Sequence, residues 1–198
     1  MSALGVWMNG RYVGEWLQLR DRRDSFRYAA AWRDDPAARA LSLSLPLTVD
    51  GTITSPAVRN YFENLLPDDP RIRERLRRRF GARSVDAFDL LETLGRDCVG
   101  AVQLLPEGAT PDGWDRIDST PLTPRSVERI LEAVPTALAP ALGGVDDAED
   151  DFRISIAGGQ EKTALLRIGR TWHRPRGATP TSHILKLPLG VVDGLRLD

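Results

Sequence analysis

Two groups of residues could do chemistry, and both lie in the last quarter of the chain. Gly158 and Gly159 sit in Ser155-Ile156-Ala157-Gly158-Gly159-Gln160-Glu161-Lys162, between the apolar runs Ile154-Ser155-Ile156 and Ala164-Leu165-Leu166. Backbone N–H groups of such a loop can approach phosphate oxygens closely, because glycine has no Cβ to block them. A plain hairpin turn asks for the same glycines, so both readings stand. The second group follows a Pro/Gly-rich gap from Gly169 to Thr179. There Lys186 lies in Ile184-Leu185-Lys186-Leu187. An ammonium among apolar neighbours is costly to bury unless an anion meets it. Lys186 is therefore either a phosphate contact or a lysine on the solvent face of an edge strand. The pattern is neither Gly-x-Gly-x-x-Gly nor a Walker A sequence. Ser155, two residues before the loop, would gain nearly two negative charges on phosphorylation and reorganise a loop shaped for phosphate.

Other candidates carry less. Cys98 is the single cysteine, in Cys98-Val-Gly-Ala-Val, and reads as a small buried apolar residue rather than a nucleophile. One cysteine forms no intramolecular disulfide and no cysteine-based metal site, which fits a reducing compartment. His173 and His183 are the only histidines, and no carboxylate or histidine cluster has metal-ligand spacing, so no protein-only metal site is expected. Arginines at 71, 73, 75, 77, 78 and 79 make a basic helix, read as a solvated face over Ile72, Leu76 and Phe80 in preference to a nucleic-acid surface. The formal net charge of −1 argues against independent tight DNA binding. The N-terminus lacks a basic stretch followed by a long apolar one, and no apolar run reaches membrane-span length. A bacterial cytoplasmic protein is expected, with no membrane partner.

The elements that must position these residues begin with Val6-Trp7-Met8-Asn9-Gly10-Arg11-Tyr12-Val13, where Asn-Gly predicts a tight hairpin. Phe26, Tyr28, Ala30 and Trp32 at period two predict a strand, and so do Leu41, Leu43 and Leu45. Ser55-Pro56 opens a helix that ends before Pro67, Asp69-Pro70 opens one that closes at Gly81, and Ser84 opens one that closes at Gly95. Val99 to Leu105 returns to strand. Residues 106–121 read as a connection, Thr123-Pro124 caps a helix to about Leu138, and the acidic stretch 143–151 reads as a linker. The expected fold is α+β: an antiparallel sheet with packed helices, then a second strand-rich unit. Expected boundaries are 1–108, 109–150 and 151–198.

Four stretches together resemble the HipA family of bacterial serine/threonine kinase toxins. They are Phe62-Glu-Asn-Leu-Leu-Pro-Asp-Asp, Leu91-Glu-Thr-Leu-Gly-Arg-Asp-Cys-Val-Gly-Ala-Val, Ser155-Ile-Ala-Gly-Gly-Gln-Glu-Lys-Thr-Ala-Leu and Pro180-Thr-Ser-His-Ile-Leu-Lys-Leu-Pro-Leu-Gly. They occur in family order over nearly the whole chain. The resemblance implies an N-terminal subdomain, the start of a kinase N-lobe at 151–198, and an all-helical C-lobe that this chain lacks. It implies transfer of the ATP γ-phosphoryl, with Mg²⁺, to a protein serine or threonine, the family target being glutamyl-tRNA synthetase. It places autophosphorylation on Ser155, ATP phosphates on Ile156, Ala157, Gly158, Gly159, Gln160, Glu161 and Lys162, and an ATP contact on Lys186. Gly159 stands where family loops often carry alanine, which should loosen the loop.

The resemblance also implies a HipB-like helix-turn-helix antitoxin as partner, with DNA reached only through it. Neither a catalytic aspartate nor a metal-binding Asp-Phe-Gly pattern follows Lys186, so no catalytic residue and no Mg²⁺ ligand is expected in this chain, and it should not phosphorylate alone. Two settings are consistent with that. The chain is the N-terminal part of a toxin kinase, or it is a stand-alone regulatory subunit masking a separate kinase. A half lobe should also meet a partner or self-associate over residues 152–198.

Overall fold

The computed structural model describes residues 2–19, 23–136, 162–186, 190–192 and 195–197. Ser155 to Glu161 lie outside these residues. Two compact units divide the chain, one built on Met1–Asp115 and the other on Arg116–Phe152 and Gly159–Asp198.

The first unit begins with strands β1 (Ser2–Met8) and β2 (Arg11–Gln18), joined at Asn9-Gly10. Both turn residues have positive φ, 49° and 73°, the left-handed pair that a type I′ turn requires. The register carries a bulge: Val6 pairs with Gly14 but Trp7 pairs with Tyr12, leaving Val13 as the extra residue. The extra residue turns inward, fully buried, and its carbonyl accepts from Ala29 N at 2.9 Å. Strand β3 (Asp24–Tyr28) pairs with β2, and β2 and β3 approach so closely at Gly14 that a Cβ there would lie 2.2 Å from the Arg27 carbonyl oxygen. With β4 (Thr52–Thr54) and β5 (Val102–Pro106) the antiparallel sheet has the order β4-β3-β2-β1-β5.

The period-two reading fails after Tyr28. Ala30–Arg33 is helix α1, and Trp32 is buried from it with its indole N–H on the Arg39 carbonyl. Leu41 to Leu45 is not a strand either. Apart from an isolated Ser42–Leu45 bridge it is a turn, with Leu45 buried and Leu43 fully exposed. The Tyr28 hydroxyl decides this. It donates to the Leu45 carbonyl and accepts from Leu41 N, which fixes the loop by tertiary contact rather than by a ladder.

Helices α2 (Pro56–Glu63), α3 (Pro70–Phe80) and α4 (Ala87–Leu94) follow. Ser55 and Asp69 cap the first two, as their Ser-Pro and Asp-Pro spacing predicts. The cap of α4 is Asp86, not Ser84, whose hydroxyl instead accepts from Asp86 N and donates to Asp89. Leu4, Val6, Trp16, Phe26, Phe62, Leu66, Phe88, Leu90, Leu91 and Leu104 are fully or almost fully buried between helices and sheet. Trp16 stacks on Phe62 at 4.1 Å and meets Phe88 edge-on at 4.9 Å. The Trp16 indole donates to buried Asp24 at 2.9 Å, and Arg59 of α2 bridges that carboxylate to Asp86 at 2.9 and 3.0 Å. One guanidinium therefore ties β3, α2 and the start of α4 together.

The second unit contains β6 (Ser119–Leu122), helix α5 (Pro124–Thr136), β7 (Lys162–Ile168), β8 (Thr171–Pro175) and β9 (His183–Lys186), with an antiparallel pair β10 (Gly190–Val192) and β11 (Leu195–Leu197). The four-stranded sheet has the order β6-β8-β7-β9. Two stretches read from sequence as connections hold strands: β6 lies at the end of 106–121, and β8 lies inside the gap 169–179. Glycine and proline around β8, and Pro121 within β6, masked the two strands.

Candidate functional site

Strand β7 starts at Lys162 and β9 ends at Lys186, and the antiparallel register sets these two residues directly opposite each other. The next pair on that face is Ala164 with Ile184. Directly opposed cross-strand residues have Cβ atoms about 5 Å apart, and like charges so placed destabilise the pair. Lys162 is half-buried, Lys186 is exposed, and Ile184 beside it is 55% exposed. Two ammonium groups at one end of a face, with an exposed apolar side chain next to them, suit an anionic group attached to an apolar or aromatic body. Lys186 does sit on an edge strand, as the blander reading required, but on the same face as a second lysine. The parity of the two strands was visible in the sequence; their pairing was not. Of the residues assigned to the phosphate loop, Lys162 alone is described, and Ser155, Ile156, Ala157, Gly158, Gly159, Gln160 and Glu161 lie outside the described residues.

The remaining candidates resolve on burial and partners. Cys98 is 3% exposed, burial pushes its thiol pKa far up, and Sγ donates to the Gly95 carbonyl at 3.6 Å. A thiol so held is no nucleophile. His173 Nδ1 lies 3.1 Å from Ser119 Oγ, and His183 Nδ1 lies 2.8 Å from Ser182 Oγ. Among the described residues no group of three His, Cys, Asp or Glu side chains could hold a metal ion. On α3, Glu74 takes both Arg77 and Arg78, Asp69 takes Arg71, and Glu63 takes Arg73. The basic helix is thus answered by carboxylates, and the solvated-face reading holds.

The sequence profile of the HipA N-terminal domain matches residues 4–116. The chain belongs to this HipA family. The matched stretch is the β1–β5 sheet with its helices, and the α+β architecture expected from sequence is the one observed. A protein of Sinorhizobium fredii named "Putative kinase Y4mE" is 36% identical over 197 residues, covering 98% of this chain and 45% of the relative. The serine/threonine-protein kinase toxin HipA of Shewanella oneidensis is 27% identical, over 88% of this chain and 37% of its own length. The chain thus spans less than half the length of these curated relatives. The fold also matches the solved Shewanella oneidensis HipA, determined with HipB and operator DNA, at a TM-score of 0.64 and 23% identity over 91% of this chain and 39% of that one. Among the described residues no helix is long and apolar enough to cross a membrane.

Proposed function

We propose that this chain is the N-terminal, nucleotide-binding portion of a HipA-type kinase that transfers the γ-phosphoryl of ATP to a serine or threonine of a protein, with glutamyl-tRNA synthetase as the target the family suggests. The observation that supports this reading is the Lys162–Lys186 pair. Like charges set opposite each other are tolerable where a polyanion comes to lie between them, and the ATP phosphates, with Mg²⁺, fit that demand. The two lysines hold the phosphates, Ile156 to Glu161 are the further phosphate-binding residues that the family resemblance implies, and Ile184 offers an apolar seat for the base. ATP supplies the transferable phosphoryl group. No carboxylate of this chain is proposed to position Mg²⁺ or the acceptor hydroxyl. Ser155 is the proposed autophosphorylation site, and a HipB-like antitoxin the proposed partner, through which operator DNA is reached. Similarity to a kinase-named relative along 197 residues, rather than along the first unit alone, favours this over a stand-alone regulatory subunit.

The test is titration of the chain with a fluorescent ATP analogue. Lys186→Met and Lys162→Met should each weaken binding about tenfold or more, since a charge-assisted phosphate contact is worth roughly 1.5–3 kcal/mol. Unchanged affinity in both variants would refute the site. With labelled ATP, Mg²⁺ and the synthetase, the chain alone should incorporate no phosphate, and clear incorporation would refute the division of labour.

A further inference from the structure

A cavity of about 270 Å³ opens in the first unit where β2, β3, α1 and the loop before β4 meet. Backbone bonds hold its walls together: Ala29 N donates to the Val13 carbonyl at 2.9 Å, and Tyr28 N to the Gly51 carbonyl at 2.8 Å. Arg33 Nη1 donates to the Val49 carbonyl and ties α1 to the loop. Gly51, with φ 73°, leaves room for that side chain, since a Cβ there would lie 2.8 Å from Arg33 Nε.

Four charged side chains line the cavity, two of each sign. Glu15 and Arg27 are cross-strand partners, and Arg27 Nε donates to Glu15 at 2.7 Å, so these two answer each other. Arg33 and Asp50 do not. Arg33 Nε is buried with no hydrogen-bond partner, and Asp50 is exposed and forms no hydrogen bond or ion pair among the described residues. A buried donor left unpaired carries its full desolvation cost, which a bound acceptor would relieve. Tyr12 is a third member of the lining whose hydroxyl has no hydrogen-bond partner among the described residues. Burial, and then the Glu15 carboxylate, push its pKa up, so the phenol keeps a proton to donate.

We propose that this cavity binds a free α-amino acid, with the carboxylate on Arg33 and the Tyr12 hydroxyl and the ammonium on Asp50. The charges select the class. A simple anion would satisfy Arg33 and bring like charge to Asp50, and a simple cation would do the reverse. A neutral ligand would leave both unanswered, whereas a zwitterion meets both at once. The guanidinium fork suits a carboxylate, and a contact between charged groups is among the stronger hydrogen bonds. Size selects within the class. Cavities that hold drug-sized ligands run from about 300 to 1,000 Å³, so this one takes a smaller molecule. The Tyr12 ring and the Ala30 methyl group give the ligand's own side chain an apolar place. The cavity lies in the first unit and the Lys162–Lys186 pair in the second, and the proposal does not rest on the nucleotide reading.

The experiment records amide NMR spectra of the full chain while L-amino acids are added one at a time in the millimolar range. At least one should shift the signals of residues 12, 27–33 and 49–51. Its N-acetyl derivative, which lacks the ammonium, and its amide, which lacks the carboxylate, should each bind about tenfold more weakly or worse. Asp50→Asn, at an exposed position, should weaken the amino acid by a similar factor and keep the wild-type urea midpoint. Arg33→Met should abolish binding, and Asp50→Asn decides the matter if Arg33→Met fails to fold. Asp50→Asn should also keep the wild-type affinity for the ATP analogue, which reads the nucleotide site separately. No shift with any amino acid, equal binding of the two blocked derivatives, or unchanged affinity in Asp50→Asn overturns the proposal.

Discussion

Cys98 shows how a single side chain is settled by its surroundings. Its neighbours Val-Gly-Ala-Val already suggested an apolar setting, and the structure adds the desolvation that suppresses the thiolate. A thiol reagent should leave the folded chain unlabelled and react fully once urea unfolds it. Rapid labelling of the native chain would contradict the burial. The lysines are a different case. Lys186 could be singled out from its apolar flanks, and Lys162 from the loop it ends, but their direct opposition depends on a register of β7 and β9 that no local pattern encodes. Tyr28 is the opposite failure. Its alternation with Phe26 was legible, whereas its hydroxyl, which converts Leu41 to Leu45 from strand to turn, acts through contacts far along the chain.

Among the elements, the starts of α2 and α3 were read to the residue, because Ser-Pro and Asp-Pro fix a helix start locally, whereas α2 stops at Glu63, short of Pro67. Strand β8 escaped because glycine and proline lie at its ends, where they mark boundaries, and β6 because Pro121, paired with His173 on an edge strand, reads as a breaker. The network centred on Arg59 was equally invisible, since Asp24, Arg59 and Asp86 lie on three different elements. Arg59→Met should destabilise the fold by about 3 kcal/mol, because buried Asp24 loses its counter-charge. Urea unfolding measures this, and a loss under 1 kcal/mol, read against a buried ion-pair cost of about 3–5, would show the network to be dispensable. Helix α3 makes a prediction about acid. Arg77, then Arg78, hold Glu74 at about 2, below its ordinary 4.5, and Arg71 holds Asp69 at about 2. A depressed carboxylate stabilises the fold above its ordinary pKa and loses that contribution as the pH falls towards the folded value. The share from α3 should thus be constant from neutral pH down to about 5 and fade between about 4.5 and 2. Glu74→Gln should flatten part of that decline in melting temperature; an unchanged acid profile would speak against it.

At the scale of the whole molecule, the first unit carries its own core. Among the described residues the fully buried aromatics Trp16, Phe26, Phe62 and Phe88 all belong to it, and the family profile ends at its edge. Residues 1–115 expressed alone should therefore unfold in one cooperative transition with a near-ultraviolet aromatic signal. A broad, non-cooperative melt would show that the core needs the rest of the chain. The α+β class was legible because hairpin and helix-cap signals are local, but the membership of β6 in the second sheet was not, because strand partners are chosen in three dimensions. The bulge at Val13 has a consequence for how such chains diverge. Removing that one residue would leave Tyr12 opposite Trp7 and Gly14 opposite Val6, so a lineage could shorten this hairpin by one codon and keep every cross-strand pair. The toll would fall on the corner into α1, where Ala29 would lose its acceptor.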